Sequence, residues 1–385
     1  MIPYGHQSIT QDDIDAVIEV MRSDWLTQGP AVERFEQAIA EYCGASHAVA
    51  VSNATAGLHL ACRALGLGAG DVLWTTPITF VASANCARFC GADVDFVDID
   101  PRTYNLSPAA LEAKLEQAEA SGRLPKIVIV THFAGQSCDM QALGQLAQRY
   151  GFALVEDAAH ALGGRYRGTA IGSCRYSDVT VFSFHPVKSI TTGEGGMVLF
   201  NSDDLNPPLR ELRSHGITRD PARMDGSCEG DWYYQQTDLG CNYRLSDLQA
   251  GLGLSQMRRL DEFVSRRAQL AAGYDAALAD LPVRRPWQEP MTGSAWHLYV
   301  IRLQLDLIGM SRGAVFAALR KSGIGVNVHY IPVHLQPYYQ RLGFRVGDFP
   351  VAEAYYAEAL TLPLYPDMTE AQQVRVIECL REILQ

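Results

Sequence analysis

Short apolar runs alternate with longer amphipathic stretches as far as Phe200, and this alternation predicts the fold. Apolar segments at 47–52, 72–76, 93–98, 126–131 and 152–156 read as strands. Between them, apolar residues recur at helical spacing over 55–66, 79–90, 108–119 and 139–150. Two further β-branched and apolar runs follow at 179–184 and 196–200. Strands that are apolar throughout are covered on both faces. The pattern therefore predicts an α/β fold with a mostly parallel sheet flanked by helices. A stretch at 12–22 predicts a leading amphipathic helix, with Asp12 and Asp13 placed where the helix dipole favours acids. Residues 246–280 read as a long helical connector. Beyond them, a strand at 298–304, a helix at 312–322, a strand at 325–329 and a closing helix after Thr369 predict a smaller α/β unit. The expected division is a large domain over 1–250 and a connector helix with a small C-terminal domain over 251–385. The Gly- and Asp-rich stretch 219–231 reads as a mobile surface loop.

Composition narrows the class of protein. The chain has 385 residues, 48% hydrophobic and 19% charged, as expected of an ordinary soluble globular protein. A net charge of −11 argues against non-specific nucleic-acid binding, which depends on excess Lys and Arg. It leaves room for an anionic nucleotide in a locally basic pocket. The nine cysteines form no CxxC pair, which suits free thiols in a reducing cytoplasm, and no metal site is expected. The first residues, Met1-Ile-Pro-Tyr-Gly-His-Gln7, carry no basic and apolar leader, so no secretory signal is expected. No apolar run approaches membrane-spanning length.

The candidate chemistry begins at Lys188. The strand at 179–184 is broken by His185-Pro186, because proline cannot continue a ladder, and Lys188 lies just past the break. An arbitrary lysine there is an exposed loop charge. Here Phe182, Phe184 and Val187 surround it in sequence, and desolvation would make its amine nucleophilic. Such a lysine suits covalent capture of a carbonyl. A second strand, Phe152 to Glu156, ends in Glu156-Asp157. A third, at 47–52, runs into Ser52-Asn53-Ala54-Thr55, where small residues at a helix start let backbone amides approach a phosphate. A nucleophilic lysine, an acid for a pyridinium nitrogen and a phosphate cradle are what pyridoxal 5′-phosphate (PLP) requires.

These segments resemble the DegT/DnrJ/EryC1/StrS family of sugar aminotransferases, which have the PLP-dependent fold type I. The resemblance covers nearly the whole chain. It rests on Leu26-Thr-Gln-Gly29, Ser52-Asn-Ala-Thr55, Thr76-Pro-Ile-Thr-Phe80, Glu156-Asp-Ala-Ala-His160, Phe182-Ser-Phe-His-Pro-Val-Lys188, Gly193-Glu-Gly-Gly196, Asn242-Tyr-Arg-Leu245 and Val328-His-Tyr330. It implies a large domain with a seven-stranded sheet, PLP on Lys188 and Asp157 at the ring nitrogen. By the same resemblance, Asn53, Ala54, Thr55 and Ser183 contact the phosphate, Phe80 stacks on the ring, and His160 touches the ring oxygen or supports the acid. His160 reads equally as a hydrogen-bonded core histidine, while a core phenylalanine is the lesser reading of Phe80 and a serine paired to backbone the alternative for Ser183. Asn242, otherwise a turn former, implies a phosphate contact across a homodimer with shared sites. Tyr4, Asp24, Trp25, Leu26, Thr27, His329, Tyr330 and His334 are implied substrate contacts.

Ser183 to Gly196, Arg213-Ser-His-Gly216 and Val328-His-Tyr330 look closest to the branch acting in pseudaminic acid biosynthesis. That branch moves the amine of L-glutamate to C4 of a UDP-linked 4-keto-6-deoxy-N-acetylhexosamine. Two other readings stand beside it. One is an aminotransferase for another 3-keto or 4-keto nucleotide sugar, UDP- or dTDP-linked. The other is a non-catalytic PLP-fold regulatory module, against which Lys188 argues. Arg219, Arg244 and Lys321 are all available to bind the donor's carboxylates.

Overall fold

All seven strands expected up to Phe200 form, close to their expected bounds. The computed structural model describes residues 1–384. The strands are β1 (His47–Val51), β2 (Val72–Thr75), β3 (Asp93–Phe96), β4 (Ile127–Thr131), β5 (Ala153–Asp157), β6 (Val179–Ser183) and β7 (Gly196–Phe200). They lie in one sheet in the order β1-β7-β6-β5-β4-β2-β3. Strand β7 runs antiparallel to both of its neighbours, β1 and β6. The ladders from β6 through β5, β4 and β2 to β3 are parallel.

Period-two alternation explains why these strands are apolar throughout. Ile127, Ile129, Val155 and Val181 enter a core shared with helices Ala54–Ala64 and Ala82–Phe89. On the other face, Val128, Val130 and Leu154 pack against Leu111, Leu115 and Leu143 of helices Pro108–Ser121 and Met140–Tyr150. Gly57 seats the helix Ala54–Ala64 tightly on the sheet, since a Cβ there would lie 2.8 Å from Val181 Cγ1.

Some elements differ from expectation. A helix forms at Pro30–Cys43 whose cap comes from far along the chain. Buried Asp247 accepts from the N–H groups of Gly29 (2.8 Å) and Ala31 (2.9 Å). The expected connector is two helices, Asp247–Met257 and Leu260–Ala277, broken at Arg258-Arg259. The expected strand at 325–329 is absent: Asn327 makes one isolated bridge to Thr361, and residues 327–330 line a cavity of the fold instead. Its place beside Tyr299–Leu303 is taken by Ala359–Leu362, which pairs antiparallel, with Val283–Arg284 on the other edge. Helices Arg312–Lys321 and Glu370–Leu384 cover this small sheet through Val315, Leu319, Val376 and Leu380. Residues 219–231 form a loop with a single 3₁₀ turn at Pro221–Arg223.

The helix Leu260–Ala277 serves two cores. Leu260 and Phe263 pack beside the large sheet, while Leu270, Ala271 and Tyr274 pack under the small one. Midway lies fully buried Arg267, which donates to the carbonyls of Leu364 (2.8 Å), His297 (3.2 Å) and Trp296 (3.4 Å). Burial lowers its pKa to about 10. Among the described residues, no helix is long and apolar enough to cross a membrane.

Candidate active site

The C-terminal ends of β4, β5 and β6 and the start of helix Ala54–Ala64 converge on a cavity of about 710 Å³. Open parallel sheets place their sites at such strand ends, where side chains leave the ladder and the following helices begin. The cavity wall brings together most of the residues singled out from sequence: Tyr4, Asn53, Ala54, Thr55, Phe80, Asp157, His160, Ser183, Lys188, His329 and Tyr330.

Asp157 is the last residue of β5 and is buried. Three hydroxyls form a directed chain onto it. Ser83 donates to Oδ2 at 2.5 Å, so the Thr79 hydroxyl, 2.8 Å from Ser83, must donate to Ser83. Thr131 in turn donates to Thr79 at 2.9 Å. The Ala159 N–H donates to Oδ1 at 3.2 Å. Glu156 points to the opposite face of the strand, where it accepts from Ser177 and Thr180 and pairs with His132. The choice between the two adjacent acids thus follows from strand alternation.

Lys188 is half-buried along the cavity wall. Burial disfavours its ammonium form and lowers its pKa to about 8, against the pull of the Asp157 carboxylate. The amine thus gives up its proton far more readily than that of a solvated lysine.

The cradle forms where Asn53 caps its helix. Asn53 Oδ1 accepts from the Ala56 N–H at 2.9 Å, which leaves the first amides, at Ala54 and Thr55, beside the cavity without a carbonyl of the same turn. Gly196 lets β7 approach this turn. A Cβ there would stand 2.8 Å from Ala54 N and from Asn53 C, and 2.9 Å from the Phe182 carbonyl. An amide-lined helix start, an acid at a strand end, a desolvated lysine and the exposed Phe80 ring fit the needs of PLP.

A histidine group lines the remaining wall. His160 Nδ1 accepts from the Ala134 N–H at 3.3 Å, so its proton sits on Nε2, which faces the Tyr330 hydroxyl at 3.1 Å. That leaves the Tyr330 proton free to donate elsewhere. Burial, then Lys188 and His329, hold His160 neutral by pushing its pKa well below the usual histidine range. Burial and Lys188 likewise lower His329 to about 3. His329 Nδ1 pairs with Thr361 at 2.8 Å.

Other residues fall elsewhere. Asp24, Trp25, Leu26, Thr27 and Asn242 are exposed and do not line the cavity of this chain. Arg213, in the Arg213-Ser-His-Gly216 stretch, is engaged by buried Glu36 (2.7 Å) and the Ala50 carbonyl (2.9 Å). His334 pairs with Glu353 away from the cavity. Sequence reasoning missed the Thr131-Thr79-Ser83 hydroxyls and His297, which is buried and lies 4.3 Å from His160 between ring centres. Thr79 lies within the Thr76-Pro-Ile-Thr-Phe80 stretch, but no motif marks Ser83, Thr131 or His297; the folded topology gathers them.

Comparison with known proteins agrees with this geometry. The chain matches the model of the DegT/DnrJ/EryC1/StrS aminotransferase family over residues 7–381. It is 41% identical to the spore coat polysaccharide biosynthesis protein SpsC of Bacillus subtilis, over 100% of this chain and 97% of that protein. Among solved structures it is similar to Helicobacter pylori PseC, an aminotransferase involved in the biosynthesis of pseudoaminic acid. The TM-score is 0.90 at 28% identity, covering 100% of this chain and 99% of that one. It is also similar to the PLP form of the Streptococcus pneumoniae protein Spr1654, described as a sugar aminotransferase, with TM-score 0.89 at 29% identity and both chains covered completely.

Proposed function

Because this chain belongs to the DegT/DnrJ/EryC1/StrS aminotransferase family and is a PLP-dependent sugar aminotransferase, we propose that it moves the amino group of L-glutamate to C4 of a UDP-linked 4-keto-6-deoxy-N-acetylhexosamine. The product is UDP-4-amino-4,6-dideoxy-N-acetyl-β-L-altrosamine, a precursor of pseudaminic acid. The observation that carries the transamination is the pairing, in one cavity, of a lysine with a lowered pKa and a buried strand-end carboxylate.

In this reading Ala54, Thr55, Ser183 and Asn53 hold the cofactor's phosphate, Phe80 packs on its ring, and Asp157 holds the ring nitrogen's proton. The bound cofactor supplies an electron sink that stabilises negative charge at the carbon being aminated. The chain's own work is proton transfer and positioning. Lys188, whose lowered pKa makes its amine an available base, removes the proton from the donor's α-carbon and returns it on the other side of the exchange. Asp157 keeps its charge facing the cavity while Ser83 fixes the carboxylate's orientation. His160 and Tyr330 present a hydroxyl donor toward polar groups in the cavity.

The substrate assignment draws its support from the likeness to PseC and from the sequence stretches that resemble that branch. The identity with SpsC favours a second reading, in which the sugar is another 4-keto nucleotide sugar used for a surface polysaccharide. We further read the active form as a homodimer in the cytoplasm, with Asn242 completing the partner's site and the substrate contacts of residues 24–27 made there.

Assay of the purified enzyme with glutamate against a panel of 4-keto UDP and dTDP sugars tests the proposal. A site that hydrogen-bonds the N-acetyl group leaves buried polar groups unpaired when that group is missing. The 2-acetamido UDP sugar should therefore exceed dTDP-4-keto-6-deoxyglucose in kcat/KM by about 100-fold or more. Equal or reversed preference would remove the pseudaminic acid assignment and favour the second reading.

A further inference from the structure

Behind the cavity, three cysteines meet where helices Ala54–Ala64 and Ala82–Phe89 pack together. Cys62 and Cys86 are fully buried, and their sulfurs lie 3.6 Å apart. Cys90, the residue that ends the second helix, is half-buried, lies one turn beyond Cys86 with its N–H donating to the Cys86 carbonyl at 3.2 Å, and packs against the core cluster that holds Cys62 and Cys86. His59 binds Tyr243 through Nδ1 at 3.2 Å, while its other nitrogen, Nε2, is buried and has no other fixed partner. Arg63 adds positive charge nearby. Among the described residues, no group of three or more His, Cys, Asp or Glu is arranged to hold a metal ion.

We propose that Cys62, Cys86 and Cys90 form a redox-active thiol site, in which a hydroperoxide oxidises Cys90 and Cys62 then closes a disulfide. The roles follow from the asymmetry of the cluster. Cys62 donates its proton toward its neighbours, and burial adds to this, so its thiol is held well above the usual range. The neighbouring Cys62 thiol, with His59 and Arg63, outweighs burial and lowers the Cys90 thiol, so its thiolate forms easily. Cys90 is also the member that solvent reaches.

The chemistry balances with hydrogen peroxide as the only co-reactant. The Cys90 thiolate attacks one peroxide oxygen: an S–O bond forms, the O–O bond breaks, and hydroxide leaves and takes up a proton. The Cys62 sulfur then attacks the sulfenic sulfur: an S–S bond forms, the S–O bond breaks, and water leaves with the Cys62 proton. Two thiols are oxidised, one peroxide is reduced, and two waters are made. Exchange with Cys86 moves the bond within the cluster without changing that balance.

The location gives the bond a target. Both bridged helices begin at the cavity, one with Ala54 and Thr55 and the other with Ala82 and the Asp157 partner Ser83. Once exchange moves the bond to Cys62 and Cys86, those sulfurs are drawn from 3.6 Å to the bonding distance of about 2.05 Å, which shifts these helices against each other.

Treating the purified enzyme with hydrogen peroxide, blocking free thiols and mapping non-reduced peptides tests the site. One disulfide should join the peptide carrying Cys62 to that carrying Cys86 and Cys90, and dithiothreitol should reverse it. Cys90→Ser should slow its formation about tenfold or more. Cys62→Ser should abolish it and leave Cys90 to accumulate as sulfinic acid. Cys228→Ser, at an exposed thiol away from the cluster, should leave the rate unchanged. The proposal is overturned if wild-type enzyme forms no such bridge, if Cys90 pairs with Cys241 instead, or if Cys90→Ser bridges at the wild-type rate. The wild-type map alone decides the matter if a variant fails to fold, and none of these readouts depends on which sugar is the substrate.

Discussion

The Ser83 hydroxyl donates to Asp157 Oδ2 at 2.5 Å, at the end of a chain of hydroxyls running back through Thr79 to Thr131. Asp157→Asn replaces the charge that the proposed cofactor contact needs while keeping the side chain's shape. Turnover should fall by about 100-fold or more, with little change in melting temperature. Ser83→Ala removes one donor but no charge, so it should be milder, with turnover down about tenfold and stability lower by about 1 kcal/mol. Steady-state assays and thermal melts separate the two, and wild-type turnover in Asp157→Asn would refute the role.

Lys188 makes a pH prediction with a definite sign. Its pKa is lowered to about 8, so the amine is mostly ammonium below that pH and mostly free above it. Covalent capture of added PLP by cofactor-free enzyme, followed in the visible, should rise about tenfold per pH unit up to about 8 and then level off. Asp157→Asn removes the charge that raises the value, so the midpoint should move lower. A midpoint at the ordinary lysine value of 10.5 would mean a solvated lysine. Lys188→Ala should abolish both capture and transamination.

Gly196→Ala probes the cradle. The new methyl would stand 2.8 Å from backbone atoms of Asn53 and Ala54, and main chain cannot move aside as a flexible side chain does. We expect a loss of about 1–3 kcal/mol in stability and faster loss of cofactor on dialysis. Unchanged unfolding and retention would show that the cradle yields freely.

Asn242, exposed and outside its own cavity, tests the proposed shared site. Lys188→Ala and Asn242→Ala chains, each inactive alone, should recover up to about a quarter of wild-type activity when mixed and allowed to exchange subunits, the statistical yield for sites that draw on both chains. Exchange without recovery would confine Asn242 to a structural role.

Much of this architecture was legible because each strand is a short apolar run facing two separate cores, and such runs are hard to place anywhere else. The helix Pro30–Cys43 was not: Pro30 at its first position is a local start signal, but Gly29 offers no side-chain cap and Asp247 supplies it from across the chain. Residues 325–329 read as a strand by composition, but ladders need partners, and only Asn327 finds one. At the site, Lys188, Asp157 and the Asn53 turn declare themselves through strand breaks and glycine-rich surroundings. Thr79, Ser83, Thr131 and His297 do not, since a hydroxyl or lone histidine acquires meaning only from what the fold sets beside it.

Arg267 bears on how this scaffold can be re-engineered. Its guanidinium fastens three carbonyls contributed by the segments that lead into Tyr299–Leu303 and out of Ala359–Leu362. Exchanging the small sheet with that of a relative, to import a different sugar preference, would strand this cation unless helix Leu260–Ala277 travels with the graft. The transplantable module therefore begins at the break after Met257, and a chimera joined within that helix should misfold even if both donors are stable.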